Sequence, residues 1–315
     1  MVEPRLPPEL ERRIFEMAAE EGENIPNILH IAHRVRVWIE PLFYENLKVD
    51  SSPRFRFFLA AHKHKSDAFL AQTVRQVIIN IQFAGSIAEV GAALVRCTGV
   101  TRLTGLGSLM SSTLPALIKG MRLRRTAMFF KHIFPDGIDL TLACFQTLTH
   151  IDLFDSVYED HDATRYVDAL LGLPALSHLS LNDDVRWDTI ERLLREAPAL
   201  TVLVLLWCGR PEAGKAHAAT APDTLEPPQA CSRYRFLTTA YYSWDECIID
   251  APNYWSQAEA FLAAKQTGSI DSRCFWMADR DPQDRADSET AEREEETDSS
   301  LSAPDAAAIR GLASN

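Results

Sequence analysis

A Leu-x-x-Leu-x-Leu spacing returns every 23 to 28 residues through the middle of this chain. Three copies are plain: Leu148-Thr149-His150-Ile151-Asp152-Leu153, Leu176-Ser177-His178-Leu179-Ser180-Leu181 and Leu200-Thr201-Val202-Leu203-Val204-Leu205. Weaker copies precede them at Val74-Val77-Ile79, Val100-Leu103-Gly105 and Leu123-Thr126-Met128. The first positions fall at 74, 100, 123, 148, 176 and 200. A period of this length holds one strand and one return element, which bury their apolar sides only when neighbouring units stack. The spacing therefore predicts an α/β solenoid with a parallel curved sheet and outer helices, joined by right-handed crossovers. Such stacks present extended surfaces for binding rather than enclosed reaction centres.

Helix signals fall between the predicted strands. Ser86-Ile87-Ala88-Glu89 has the form of a capping box, and Asp188-Thr189-Ile190-Glu191 resembles another. Tyr166, Leu170 and Leu171 make an apolar stripe closed by Gly172 and Pro174. Thr113-Leu114-Pro115 opens a short helix ending near Gly120. Ahead of the repeats, Leu10, Ile14, Met17 and Ala18 share one helical face after Pro7-Pro8. Gly22 and Pro26 break that helix. A second apolar stretch runs from Ile28 to Val37, and Trp38 to Tyr44 follows. Residues 209 to 232, rich in Gly, Ala and Pro, read as a flexible loop before a last strand, Tyr234 to Tyr242. A final helix carrying Trp255, Ala258, Phe261 and Leu262 is expected to cap the open end of the stack.

Charge is unevenly placed. The net charge is −12, and eleven of the 44 acidic residues but only four of the 32 basic ones fall from Met277 onward. That acidic run cannot bury enough apolar surface to fold. No region is strongly basic, which argues against nucleic acid. The six cysteines contain no C-x-x-C pair. This argues against a zinc module or disulfide scaffold and fits a reducing compartment. The polar first residues and the lack of an 18-residue apolar run predict neither leader nor membrane span, leaving cytoplasm or nucleus.

Leu6-Pro7-Pro8-Glu9-Leu10 with Ile14-Phe15 resembles the opening of an F-box. Ile31-Ala32-His33-Arg34-Val35 with Trp38 resembles its second half, and Leu42-Phe43-Tyr44-Glu45-Asn46-Leu47 its end. From about residue 5 to 270 the chain is similar to fungal F-box-like proteins with degenerate leucine-rich repeats. The resemblance implies a three-helix module at 1–50, a helical bridge at 51–72, repeats at 73–208 and the loop at 209–232. The last strand and capping helix then occupy 233–272, and a disordered acidic tail 273–315. It implies that Leu6, Pro7, Leu10 and Ile14, with Trp38 in support, bind the adaptor of a cullin–RING ubiquitin ligase while the repeats hold a protein substrate. A pure N-terminal cap, and a repeat scaffold that meets no ligase, stay open. In such repeats the ninth residue turns into the bend, here Ser156, Asp184 and Cys208.

Strand alternation points one residue pair per repeat away from the core: Gln76 and Ile78, Arg102 and Thr104, Arg125 and Ala127, His150 and Asp152, His178 and Ser180, Val202 and Val204. This concave face is the predicted partner site. His150 and His178 sit at one position of adjacent repeats, about 4.8 Å apart, and suggest a pH-sensitive patch rather than a metal site. Gly209-Arg210-Pro211-Glu212-Ala213-Gly214-Lys215-Ala216 matches a phosphate loop in form. It lacks the Ser or Thr that would hold magnesium. No catalytic group, cofactor or metal site is expected.

Overall fold

A computed structural model describes residues 6–20, 25–49, 51–81, 87–107, 111–157, 160–182, 184–197, 199–207, 210–225, 235–239 and 254–278. Cys208, Cys231, Cys247, Ser86 and the tail beyond Ala278 lie outside them.

The chain opens with α1 (Pro8–Glu20), α2 (Ile25–Leu29) and α3 (His33–Glu45). Next come β1 (Asn46–Val49), α4 (Ser52–His64), α5 (Asp67–Thr73), β2 (Gln76–Ile81), α6 (Ile87–Arg96), β3 (Arg102–Gly107) and α7 (Leu114–Ile118). The series continues with β4 (Arg125–Met128), α8 (Phe130–Ile133), β5 (His150–Ser156), α9 (Asp160–Leu171), β6 (His178–Asn182), α10 (Trp187–Glu196) and β7 (Val202–Leu206). It ends with α11 (Pro211–Ala219), β8 (Phe236–Thr239) and α12 (Tyr254–Gln266).

Among the described residues the strands form one eight-stranded sheet in chain order, parallel throughout and not closed into a barrel. Each of the six predicted repeats starts its strand two residues after its first apolar position, from Gln76 to Val202. The register aligns Val77, Leu103, Thr126, Ile151, Leu179, Leu203 and Phe236 across seven strands. On the outer face these side chains join α4 to α11 in one continuous apolar core. Thr126 is the polar member, and its hydroxyl donates to the Leu103 carbonyl at 3.0 Å.

A second ladder holds the rungs together. The hydroxyl of Thr149 donates to the Arg124 carbonyl at 3.0 Å, that of Ser177 to Thr149 at 3.1 Å, and that of Thr201 to Ser177 at 3.0 Å. The polar inward contacts therefore come from the second repeat position. The predicted ninth-position contact fails at Asp184, whose side chain is 75% exposed beside His217.

Three boundaries differ from the sequence reading. The first rung, β1, lies inside the stretch assigned to the helical module, because Leu47 and Val49 pack beneath Val77 and Ile79. Residues 211–219 are helical rather than a loop. Pro211 suits a first turn, and Gly214 lets the helix approach Trp207 and Trp276, where a Cβ would stand 2.7 and 2.6 Å from ring atoms. Finally, residues 273–278 do not belong to a tail. Thr238 N–H donates to the Phe275 carbonyl at 2.7 Å and Met277 N–H to the Thr238 carbonyl at 2.8 Å, adding a parallel bridge at the β8 edge.

Candidate functional site

Two surfaces emerge, one open and one covered. The open one lies on α1. Leu6, Leu10, Ile14 and Met17 are each about half exposed (45 to 54%) at spacings of four, four and three. That spacing sets Leu10, Ile14 and Met17 on one helical face. Phe15, Ala18 and Ala19 instead meet Ile28, Leu29, Val35 and Ile39 in a small separate core. The packing partners of α1 are α2 and α3, while α3 carries the module onto β1 and α5. A bidentate pair, Arg34 to Glu11, closes α3 against α1, with the shorter contact at 2.6 Å. Pro7 is exposed and its carbonyl accepts from Leu10 and Glu11 N–H at 3.0 Å, starting the helix. Trp38 is half-buried against the small core, so it supports the helices from behind. Apolar side chains left open in one line commonly mark a partner site. Ile31, Val37 and Leu42 are also exposed, so seven of the eight exposed large apolar side chains among the described residues fall within 6–42.

The module is fastened firmly. Lys65, just past the end of α4, donates to Glu40 at 2.7 Å and lies 5.5 and 5.1 Å from the rings of Tyr44 and Phe69. Arg96 ties α6 to the end of α4 through the Lys65 carbonyl at 2.7 Å and to Asp67.

The inner face corrects the sequence reading. Alternation places the predicted pairs on that side, but they are not open to solvent. Gln76, Ile78, Thr104, Ala127, Asp152, His178, Ser180, Val202 and Val204 are all buried, and Arg102, Arg125 and His150 are half-buried. The cover over β7 and β8 is α12, which therefore does not cap the end of the stack. Tyr254, Trp255, Ala258 and Leu262 join Val202, Val204, Leu206 and Leu237 in a second apolar cluster, with Met277. Polar anchors accompany it. The Tyr254 hydroxyl donates to Asp152 at 3.1 Å, and the Ser180 hydroxyl donates to the other oxygen of the same carboxylate. Glu259 Oε1 lies 3.0 Å from His178 Nε2.

The two histidines stack, with ring centroids 4.0 Å apart, and Trp255 meets both edge-on at 5.7 and 5.5 Å. Their Nδ1 atoms are fixed by the hydroxyl ladder. Thr149 spends its proton on a backbone carbonyl, so it accepts from His150 Nδ1 at 2.9 Å, while His178 stands with Nδ1 2.8 Å from the Ser177 hydroxyl and Nε2 3.0 Å from the Glu259 carboxylate. Burial, then the neighbouring His178 and Arg125, push His150 down to about 3. Burial also lowers His178, opposed by the Glu259 carboxylate. His150 thus stays neutral at physiological pH instead of titrating near it.

Other candidates resolve into packing. Gly209 of the Gly-x-x-x-x-Gly-Lys segment lies outside the described residues; residues 211–216 form the opening turns of α11, and Lys215 is bonded to Glu212 at 2.8 Å. Trp207 and Trp255 are buried, and Trp187 stacks on His217 at 4.2 Å. Burial raises the Cys97 and Cys144 thiols to about 11, which keeps them protonated and unreactive. An open groove of about 460 Å³ between α9 and α10 contains Arg186, Arg192 and Arg195, each paired with a carboxylate. Among the described residues no three metal-ligating side chains gather, and no helix is long and apolar enough to cross a membrane. No family model matches the chain, and no curated protein matches it.

Proposed function

We propose that the chain is an F-box-like recruiting subunit of a cullin–RING ubiquitin ligase. In this reading α1 to α3 grip the ligase adaptor, the repeat-like sheet holds a protein substrate, and the chain does no chemistry of its own. Its contribution is proximity, which raises the effective concentration of substrate lysines near the ligase. The observation that carries the reading is the α1 stripe: Leu10, Ile14 and Met17 stand exposed on a helix whose other side already has a core, with exposed Leu6 just ahead of it. A pure cap would bury Leu10 and Ile14 against the first rung, and they are not buried. The sequence resemblance supplies the identity of the partner.

The test is capture of the cullin-ligase adaptor by the full chain and by a Leu10→Glu, Ile14→Glu variant. Burying each aliphatic side chain contributes about 1.5–3 kcal/mol, so the variant should bind at least about a hundredfold more weakly. Equal capture, or none by either chain, removes the ligase role. A second reading, a repeat scaffold that meets no ligase, draws support from α12, which occupies the surface expected to take substrate. It predicts no adaptor capture.

A further inference from the structure

We infer that the loop from Lys119 to Arg124, with Val95 beside it, is a binding surface for a short acidic peptide segment of a partner protein, one that carries an aliphatic side chain among its carboxylates. The inference stands apart from the ligase reading, which concerns α1.

First, charge is divided along the stack. Residues 46–133, which build the first four rungs, hold thirteen Lys and Arg against three acidic residues, a net of +10. Residues 134–278 hold ten against 21, a net of −11. The expectation that no region is strongly basic is thereby corrected. Four rungs span about 14 Å, the length of four extended residues. A short acidic segment can stay within that width, whereas a long polyanion would run on over the acidic rungs.

Second, the fold sets three of these cations out in order and without partners. Lys119, Arg122 and Arg124 are exposed at the rim where the strands begin, and among the described residues none of them has an ion-pair partner. Exposed arginines elsewhere do: Arg12, Arg34, Arg186, Arg195 and Arg273 each meet a carboxylate. Arg122 and Arg124 lie beyond the end of α7, so no helix dipole accounts for them. Burial alternates along the loop, with Met121 and Leu123 in the core. Leu123 N–H donates to the Cys144 carbonyl at 3.0 Å and Arg124 N–H to the Thr101 carbonyl at 2.7 Å, which pins the loop. Alternate residues of an extended run stand about 6.6 Å apart, which is also the spacing of every second carboxylate in an extended peptide.

Third, an aliphatic side chain sits at the patch. Val95 is 48% exposed, and among the described residues it is the one exposed large apolar side chain outside 6–42. Gly91, one turn before it on α6, faces Leu117 of α7, and Thr98, just past α6, packs on Gly120. Val95 therefore lies on the side of α6 that faces α7, near Lys119. No aromatic side chain occurs between Val95 and Arg125, so the surface has no platform for stacking bases. Cations beside one aliphatic side chain suit a peptide better than a nucleic acid.

The experiment titrates a fluorescein-labelled peptide, Glu-Asp-Glu-Leu-Glu-Asp-Glu, into the full chain and follows anisotropy, alongside the same peptide with Ser in place of Leu. The unmodified chain is compared with Arg122→Glu plus Arg124→Glu, with Val95→Ser, and with Arg195→Glu plus Lys215→Glu, which makes the same change in net charge on α10 and α11. All five side chains are exposed, so the substitutions leave the fold intact. Reversing Arg122 and Arg124 should weaken binding of the leucine peptide about tenfold, and the matched pair should change it by less than about twofold. Val95→Ser should weaken the leucine peptide about fivefold and leave the serine peptide unchanged. No binding to the unmodified chain, equal loss in the two charge-reversed chains, or equal affinity of the two peptides for the unmodified chain would each overturn the surface. So would an oligothymidine strand that binds more tightly than the peptide, depends on Arg122 and Arg124 and ignores Val95, since that result assigns the rim to nucleic acid.

Discussion

On the outer face of the sheet, Val77, Leu103, Ile151, Leu179 and Leu203 form a row with no measurable exposure, interrupted by Thr126 between Leu103 and Ile151. One residue along each strand, the inner face carries Ile78, Thr104, Ala127, Asp152, Ser180 and Val204. Helices α4 to α11 cover the first row, and α12 packs on β7 and β8 at the second. Both faces are buried, but they are buried for different reasons. The outer row has no partner except other aliphatics, so its exposure would unfold the chain. The inner row alternates aliphatics with hydrogen-bonding groups, and α12 meets its far end with both kinds of contact: Tyr254 donates to Asp152, while Trp255 and Leu262 join Val202 and Val204. A single backbone pattern thus makes one face almost wholly aliphatic and the other a mixture of aliphatic and polar side chains.

Substitutions can break or sharpen this contrast. The largest effect is expected on the outer face, where Ile151→Ala should cost about 2–5 kcal/mol in urea denaturation, because the site cannot collapse around the lost atoms. The next is a pH effect. His150 is held near 3 in the folded state against about 6.5 unfolded, so its contribution is complete above pH 6.5 and declines as the pH falls towards 3. Between pH 7 and 5 the chain should lose about 2 kcal/mol that His150→Gln does not lose, read by urea melts at both values. A smaller effect is expected at Asp152→Asn. The side-chain amide keeps one acceptor oxygen and turns the other position into a donor, so one of the two hydroxyls, Tyr254 or Ser180, loses its acceptor, at a cost of about 1 kcal/mol, seen as faster hydrogen exchange in α12. The smallest concerns the α1 stripe. Leu10→Glu with Ile14→Glu should leave stability within about 0.5 kcal/mol for each substitution while abolishing adaptor capture.

The residues that set the strands were readable because the repeats place apolar side chains at the first, fourth and sixth positions, with Gly105 and Thr126 the exceptions, a local pattern that survives even at Val74-Val77-Ile79. The α1 stripe was readable for the same reason, since Leu10, Ile14 and Met17 keep helical spacing. Other features needed distant partners. The rung at Leu47 and Val49 has only two inward positions and follows directly on a helix. Helix α11 has no apolar stripe, and its place depends on two tryptophans meeting Gly214. The position of α12 was hidden most deeply. Its apolar face was visible, but Tyr254 and Glu259 find their partners 102 and 81 residues away, and nothing in the local sequence says which surface they cover.

Hydrogen exchange on the full chain, followed peptide by peptide, tests the contrast between the two faces most directly. The amides of α12 should exchange through an opening that costs less than global unfolding, and Asp152→Asn should speed them without changing α10. If α12 and α10 instead share one protection that rises and falls with overall stability, the inner face is ordinary core and does not open.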